Sequence, residues 1–108
     1  MNKTDRTLLE AAAKAAGIEL FAVFGPVSNF EGFRAKREDG DTWNPLTDDG
    51  DALRLAAALR LHVDHSELAV TAWILMGVSA VAFTEHGTSL SATRRAIVRA
   101  AAAMVDKS

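Results

Sequence analysis

The chain has 108 residues, of which 49% are hydrophobic and 24% charged, with a net charge of −2 and no cysteine. That length supports a single domain spanning residues 1 to 108 with one core, and the missing cysteines exclude disulfides, a thiol nucleophile and a cysteine-bound zinc. The near balance of charge gives no general attraction to nucleic acid or to a membrane surface, although six acids, Glu38, Asp39, Asp41, Asp48, Asp49 and Asp51, fall in a stretch without Lys or Arg.

The first residues lead into an alanine-rich segment carrying Glu10 and Lys14. They lack the uncharged apolar block of a signal peptide, so a cytoplasmic protein is expected. Thr4 and Thr7 offer hydroxyl caps, Thr7 with Glu10 three residues on. Leu8, Leu9, Ala12, Ala13 and Ala16 share a face, which predicts a helix ended by Gly17. Residues 18 to 24 are apolar apart from Glu19, and residues 30 to 37 alternate Phe33 and Ala35 against Arg34 and Lys36. Both patterns predict antiparallel strands. Asp39-Gly40 reads as a tight turn returning the chain toward Trp43.

Asn44 precedes Pro45 and is driven to an extended conformation, which delays the second helix. Asp48 is its expected N-cap, Asp51 its third position, and Asp49 and Asp51 face the positive end of the helix dipole. Ala52, Leu53, Leu55, Ala56 and Leu59 supply its apolar stripe, and it should end near Arg60. The uncharged run of residues 68 to 84 is at the lower edge of membrane-spanning length. Its β-branched and aromatic residues, interrupted by Gly77 and Ser79, predict a buried hairpin with a turn at Met76-Gly77, preceded by a strand through Leu61 and Val63. In the last segment Leu90, Thr93, Ala100, Ala101 and Met104 lie within about 60° of Ile97 on a helical wheel, with Arg95 and Arg99 opposite and Arg94 on the shoulder. The expected fold is a two-layer α+β domain, with a mainly antiparallel sheet of three to five strands and N-terminal, short central and C-terminal helices. The second and third helices should pack on one side of the sheet.

Trp43-Asn44-Pro45-Leu46 running into Asp48-Asp49-Gly50-Asp51-Ala52-Leu53-Arg54-Leu55, together with the C-terminal Ala92-Thr93-Arg94-Arg95-Ala96-Ile97-Val98-Arg99-Ala100-Ala101, resembles a group of short uncharacterised phage and prophage proteins. The resemblance spans residues 8 to 17, 43 to 61 and 90 to 103, about 40% of the chain. It implies a small α+β accessory domain in the cytoplasm of a bacterial host, and it carries no catalytic residues with it.

No catalytic, cofactor-binding or metal-binding set emerges from the residues. Counted from Asp39, a calcium loop would need a glycine at the sixth position and a glutamate at the twelfth, where Asn44 and Gly50 stand. His62 and His65 point to opposite faces of a strand, whereas Asp64 shares a face with His62, an ordinary pairing. No serine sits in a nucleophile elbow. A small metal-dependent or small-molecule enzyme using His62, Asp64 and His86 with acids of residues 38 to 51 is therefore the minor alternative to a non-enzymatic module that binds an unidentified protein or self-assembles. A nucleic-acid factor led by Arg95 and Arg99 is the other. Structural or interaction roles fall to Trp43, Asn44, Asp48, Asp49, Asp51, Trp73 and Arg94. Trp43 should cover the start of the second helix, with Arg94 pairing Asp48, Asp49 or Asp51 or stacking on the indole. Trp73 and Leu75 alternate with Ala72, Ile74 and Met76, so both strand faces seek burial, within the monomer or in a homodimer through this hairpin.

Overall fold

A computed structural model describes residues 3 to 27, 30 to 35, 42 to 66, 68 to 76, 79 to 87 and 89 to 105. The elements run α1 (Lys3–Ala15), β1 (Leu20–Phe24), β2 (Phe30–Ala35), β3 (Thr42–Trp43), α2 (Asp49–Leu59), β4 (His62–His65), β5 (Ala69–Met76), β6 (Ser79–His86) and α3 (Leu90–Val105). The α+β class, the three helices and the antiparallel pairing match the sequence expectation. The strands divide into two three-stranded sheets, β1-β2-β3 and β4-β5-β6.

Helix α1 starts at Lys3, so Thr4 and Thr7 lie within it and neither caps it. Arg6 and Glu10, one turn apart, pair at 3.0 Å across its exposed side. Gly17 (φ 71°) ends it: Gly17 N–H donates to Lys14 O at 3.2 Å and Ile18 N–H to Ala13 O at 2.8 Å, the double closure of a left-handed helix stop. Helix α2 stops in the same way without glycine. Arg60 takes φ 55°, and the Arg60 and Leu61 amides donate to Ala57 O and Ala56 O. Those two bonds offset the roughly 1–2 kcal/mol that a side chain costs in the left-handed region.

In the first sheet Leu20 pairs with Ala35, Ala22 with Phe33 and Phe33 with Trp43, so all five side chains point to one face. That face closes on Leu9, Ala12 and Ala13 of α1, Ala52, Leu55 and Ala56 of α2, and Ile97, Val98 and Ala101 of α3, forming the main core. The second sheet puts Val70 and Ala72 against Ala96 and Ala100 on another side of α3. Helix α3 is therefore central, with α1 and α2 both packed on it. This widens its buried arc beyond the predicted stripe to include Ala96, Val98 and Ala102, and its alanines allow the close approach. Leu90, placed on the buried face by periodicity, is instead 64% exposed at the first residue of the helix.

The uncharged run of residues 68 to 84 forms the β5–β6 hairpin, paired from Ala69 with His86 to Met76 with Ser79. Among the described residues no helix is long and apolar enough to cross a membrane. The Asp39-Gly40 turn, the acids Glu38, Asp39 and Asp41, and Gly77 of the hairpin turn lie outside the described residues.

Candidate functional site

The segment from Trp43 to Arg54 is a self-contained hydrogen-bonded knot. Trp43, at the end of the first sheet, is 2% exposed, so its indole is a core group and not an open stacking platform. Pro45 is also fully buried. Between them Asn44 acts through three groups. Its backbone N–H donates to Asp51 Oδ2 at 2.9 Å, its Oδ1 accepts from Leu46 N–H at 3.0 Å, and its carbonyl accepts from Thr47 and Asp48 N–H at 3.1 and 2.9 Å. Proline forces the chain to bend here, and the Asn44 side chain closes the bend as an Asx turn.

Asp48 is the N-cap of α2, with extended backbone (φ −116°, ψ 120°) and a side chain that accepts Asp51 N–H at 2.8 Å. Asp51 is the buried charge of the knot, 4% exposed. Its carboxylate accepts from Asn44 N–H on one oxygen and from Arg54 Nη2 at 2.7 Å on the other. Cap and third helical residue thus exchange bonds as in a capping box, except that Asp51 reaches past the cap to Asn44. Gly50 makes room for this: a Cβ there would stand 3.2 Å from Asp48 Oδ2 and 3.3 Å from both terminal nitrogens of Arg54. The glycine lets the guanidinium fold back over the helix start.

Helix α3 reaches this knot through Arg94. Its Nε donates to Leu46 O at 2.8 Å and its Nη1 to Asp49 Oδ1 at 2.5 Å, with the Arg94 side chain only 18% exposed. Of the three acids expected to meet Arg94, Asp49 is the one that does. Arg94→Ala removes the donor to Leu46 O inside a packed contact and should lower stability by about 1–2 kcal/mol. Arg95→Ala should cost less, about 0.5–1 kcal/mol, because the Arg95 side chain is 38% exposed and its bond goes to a carboxylate, not to a part-buried backbone carbonyl. Thermal melts of the two variants provide the comparison, and equal losses would show that the Leu46 bond contributes nothing.

Arg95 and Arg99, expected on a solvent face, are each engaged. Arg95 Nη2 donates to Asp5 of α1 at 2.8 Å. Arg99 Nη1 donates to Glu85 of β6 at 2.5 Å and to Thr84 O at 3.3 Å, with its guanidinium 5.7 Å from the Phe83 ring. The correction follows from the central position of α3, whose flanks are covered by α1 and β6. Its three arginines each hold a different element, so they do not form a free cationic face for a phosphate backbone.

The histidines do not converge. His62 and Asp64 do share the outer face of β4, while His65 on the other face meets Thr93 Oγ1 of α3 at 3.0 Å. His62 stands in register with Trp73 and Ala82, and His86 with Ala69 at the far end of β6. Two strands and four residues separate these histidines, roughly 16 Å by strand geometry. Among the described residues no group of three His, Cys, Asp or Glu could hold a metal ion. Nor does any buried side-chain nitrogen or oxygen among them lack a hydrogen-bond partner that a ligand would have to supply.

Open apolar surface is found elsewhere. Trp73, on the central strand of the second sheet, is 36% exposed on the face turned away from α3. It is flanked in register by His62 and Ala82, and one step along by Asp64, Thr71 and Thr84, the two threonine hydroxyls lying 3.0 Å apart. Ala72, its neighbour, is fully buried on the opposite face, so at these two positions cover is inward only; the side chains of Ile74, Leu75 and Met76 lie outside the described residues. Phe21 and Phe24 of β1 are 47% and 56% exposed, and Leu53 of α2 is 70% exposed. Strand alternation marks Phe21 as an outward residue, but it cannot tell an outward face that is covered from one that is open. Leu53, expected in the apolar stripe of α2, faces outward instead, because two residues along a helix turn it about 200° from the buried Leu55.

No protein-family model matches the chain, and no curated protein or solved structure is significantly similar to it.

Proposed function

We propose that this protein is a non-enzymatic accessory protein of phage or prophage type, acting in the bacterial cytoplasm by binding another protein through the outer face of its second sheet. The observation that carries the reading is Trp73, held at the centre of that face by ladders to β4 and β6 and left open to solvent. A tryptophan on a rigid strand offers a large contact area at small entropic cost, and such residues dominate the energy of protein interfaces. The phage-type part of the proposal rests on the resemblance carried by residues 43 to 55 and 92 to 101. The non-enzymatic part is supported by the separation of His62 and Asp64 from His86 and by the internal use of Asp48, Asp49, Asp51 and Arg94.

Affinity capture from a bacterial host lysate, with mass-spectrometric identification, tests this. A protein retained by the wild type should be lost with Trp73→Ser, while the circular dichroism spectrum and melting curve stay close to wild type. A lysate that yields nothing specific, or a partner held equally by Trp73→Ser, would count against the outer face of the second sheet.

A further inference from the structure

An open apolar surface also lies on the helical side of the molecule. Helix α2 buries Asp51, Ala52, Leu55 and Ala56, and its outward side carries an apolar strip, Leu53 at 70% exposure with Ala57 and Ala58 exposed beside it, bordered by the exposed Asp49 and Arg54. Beside Leu53, a groove of about 210 Å³ opens between α2 and α3, lined by Ala52 and Leu53 on one side and Leu90 and Ile97 on the other. The Arg94–Asp49 pair lies in its wall, and Leu90, on its rim, is 64% exposed. An exposed leucine thus stands next to a groove of leucine-accepting chemistry on the same surface. Knob and hole on one patch are what a two-fold, isologous contact requires.

The charges along α2 name the occupant. Its N-terminal end carries Asp48 and Asp49, 59% and 58% exposed at the side chain, which with Asp51 outnumber the Arg54 and Arg94 that meet them, and its C-terminal end carries the exposed Arg60. The helix spans roughly 16 Å from end to end. We infer that a second copy of this chain covers this face, the two α2 helices antiparallel and crossing at Leu53. Each Leu53 then enters the groove between α2 and α3 of the other copy, and the acidic start of each helix lies beside Arg60 of the other. A parallel arrangement would set Asp48 and Asp49 against their own counterparts and is disfavoured by like-charge repulsion. This inference goes beyond the partner-binding reading and uses the opposite side of the molecule, so it stands or falls separately.

Light scattering coupled to size-exclusion chromatography, with sedimentation equilibrium of the full chain, tests it. The wild type should be a dimer at roughly 100 µM, and Leu53→Glu should weaken it roughly a hundredfold by placing a charge in each groove. Leu90→Glu should weaken it as well. Arg60→Glu should weaken it less, with the difference from wild type shrinking as salt is raised. Leu53 and Leu90 are exposed, so both variants should keep the wild-type circular dichroism spectrum. A wild type that stays monomeric at that concentration overturns the inference. So does a dimer that survives Leu53→Glu and dissociates with Trp73→Ser, which would place the contact on the second sheet instead.

Discussion

Trp43→Ala should lower the stability of this domain by about 3–5 kcal/mol, the largest loss expected of any single substitution in it. Trp43 is 2% exposed and stands where the first sheet, α2 and α3 meet: it pairs with Phe33 across β2–β3 and packs in the same cluster as Leu55 and Ile97. Truncation leaves a void among elements pinned by their own hydrogen bonds, so collapse into it is restricted. Trp43→Phe keeps most of the volume and should cost much less. Fluorescence offers a check independent of stability, because Trp43 and Trp73 are the only tryptophans. Trp73→Phe should leave a blue-shifted emission resistant to acrylamide, and Trp43→Phe a red-shifted, quenchable one. The reverse assignment would remove Trp43 from the core.

Asp51→Ala should cost about 2–4 kcal/mol, from lost charge-assisted bonds and a backbone donor left without its partner. The carboxylate is 4% exposed and serves Asn44 N–H and Arg54 at once. Removing it orphans the Asn44 amide at the bend that Pro45 enforces and frees the guanidinium folded over Gly50. Arg54→Ala should cost under about 1 kcal/mol, since its side chain is 63% exposed and such pairs are screened by water. Asp51→Asn should fall between, keeping an acceptor for Asn44 but not the charge. Denaturant melts of the three variants would order these effects. Equal losses for Asp51→Ala and Arg54→Ala would mean that the surface pair, and not the buried bond to Asn44, holds the start of α2.

The acidic stretch illustrates how a local arrangement is legible from residue types alone. Asp48 as N-cap and Asp51 at the third helical position were readable, because the bond between them joins residues three apart and follows from backbone geometry. The inward pair Phe33 and Ala35 followed from alternation in the same way. The bond from Asp51 to Asn44 was not readable, since a cap residue ordinarily receives the returning side chain and the bend at Pro45 displaces it. The early start of α1 escaped as well: two good capping threonines were present, and the helix begins before both.

By itself the sequence determined the stops of α1 and α2, the cap of α2, the strand alternation and the hairpin nature of residues 68 to 84. These are short-range consequences of dihedral preference, hydrogen-bond reach and periodicity. Only the tertiary structure decided that six strands form two sheets, and that Arg94, Arg95 and Arg99 serve three different elements. It also decided that Leu53, Leu90 and Trp73 are left open while Leu55 and Ala72 are covered. The arginine contacts join residues 45, 90 and 14 positions apart, and the choice of partner depends on where α3 lies between its neighbours. Burial of a side chain likewise depends on what is packed above it, and neither propensity nor period carries that information.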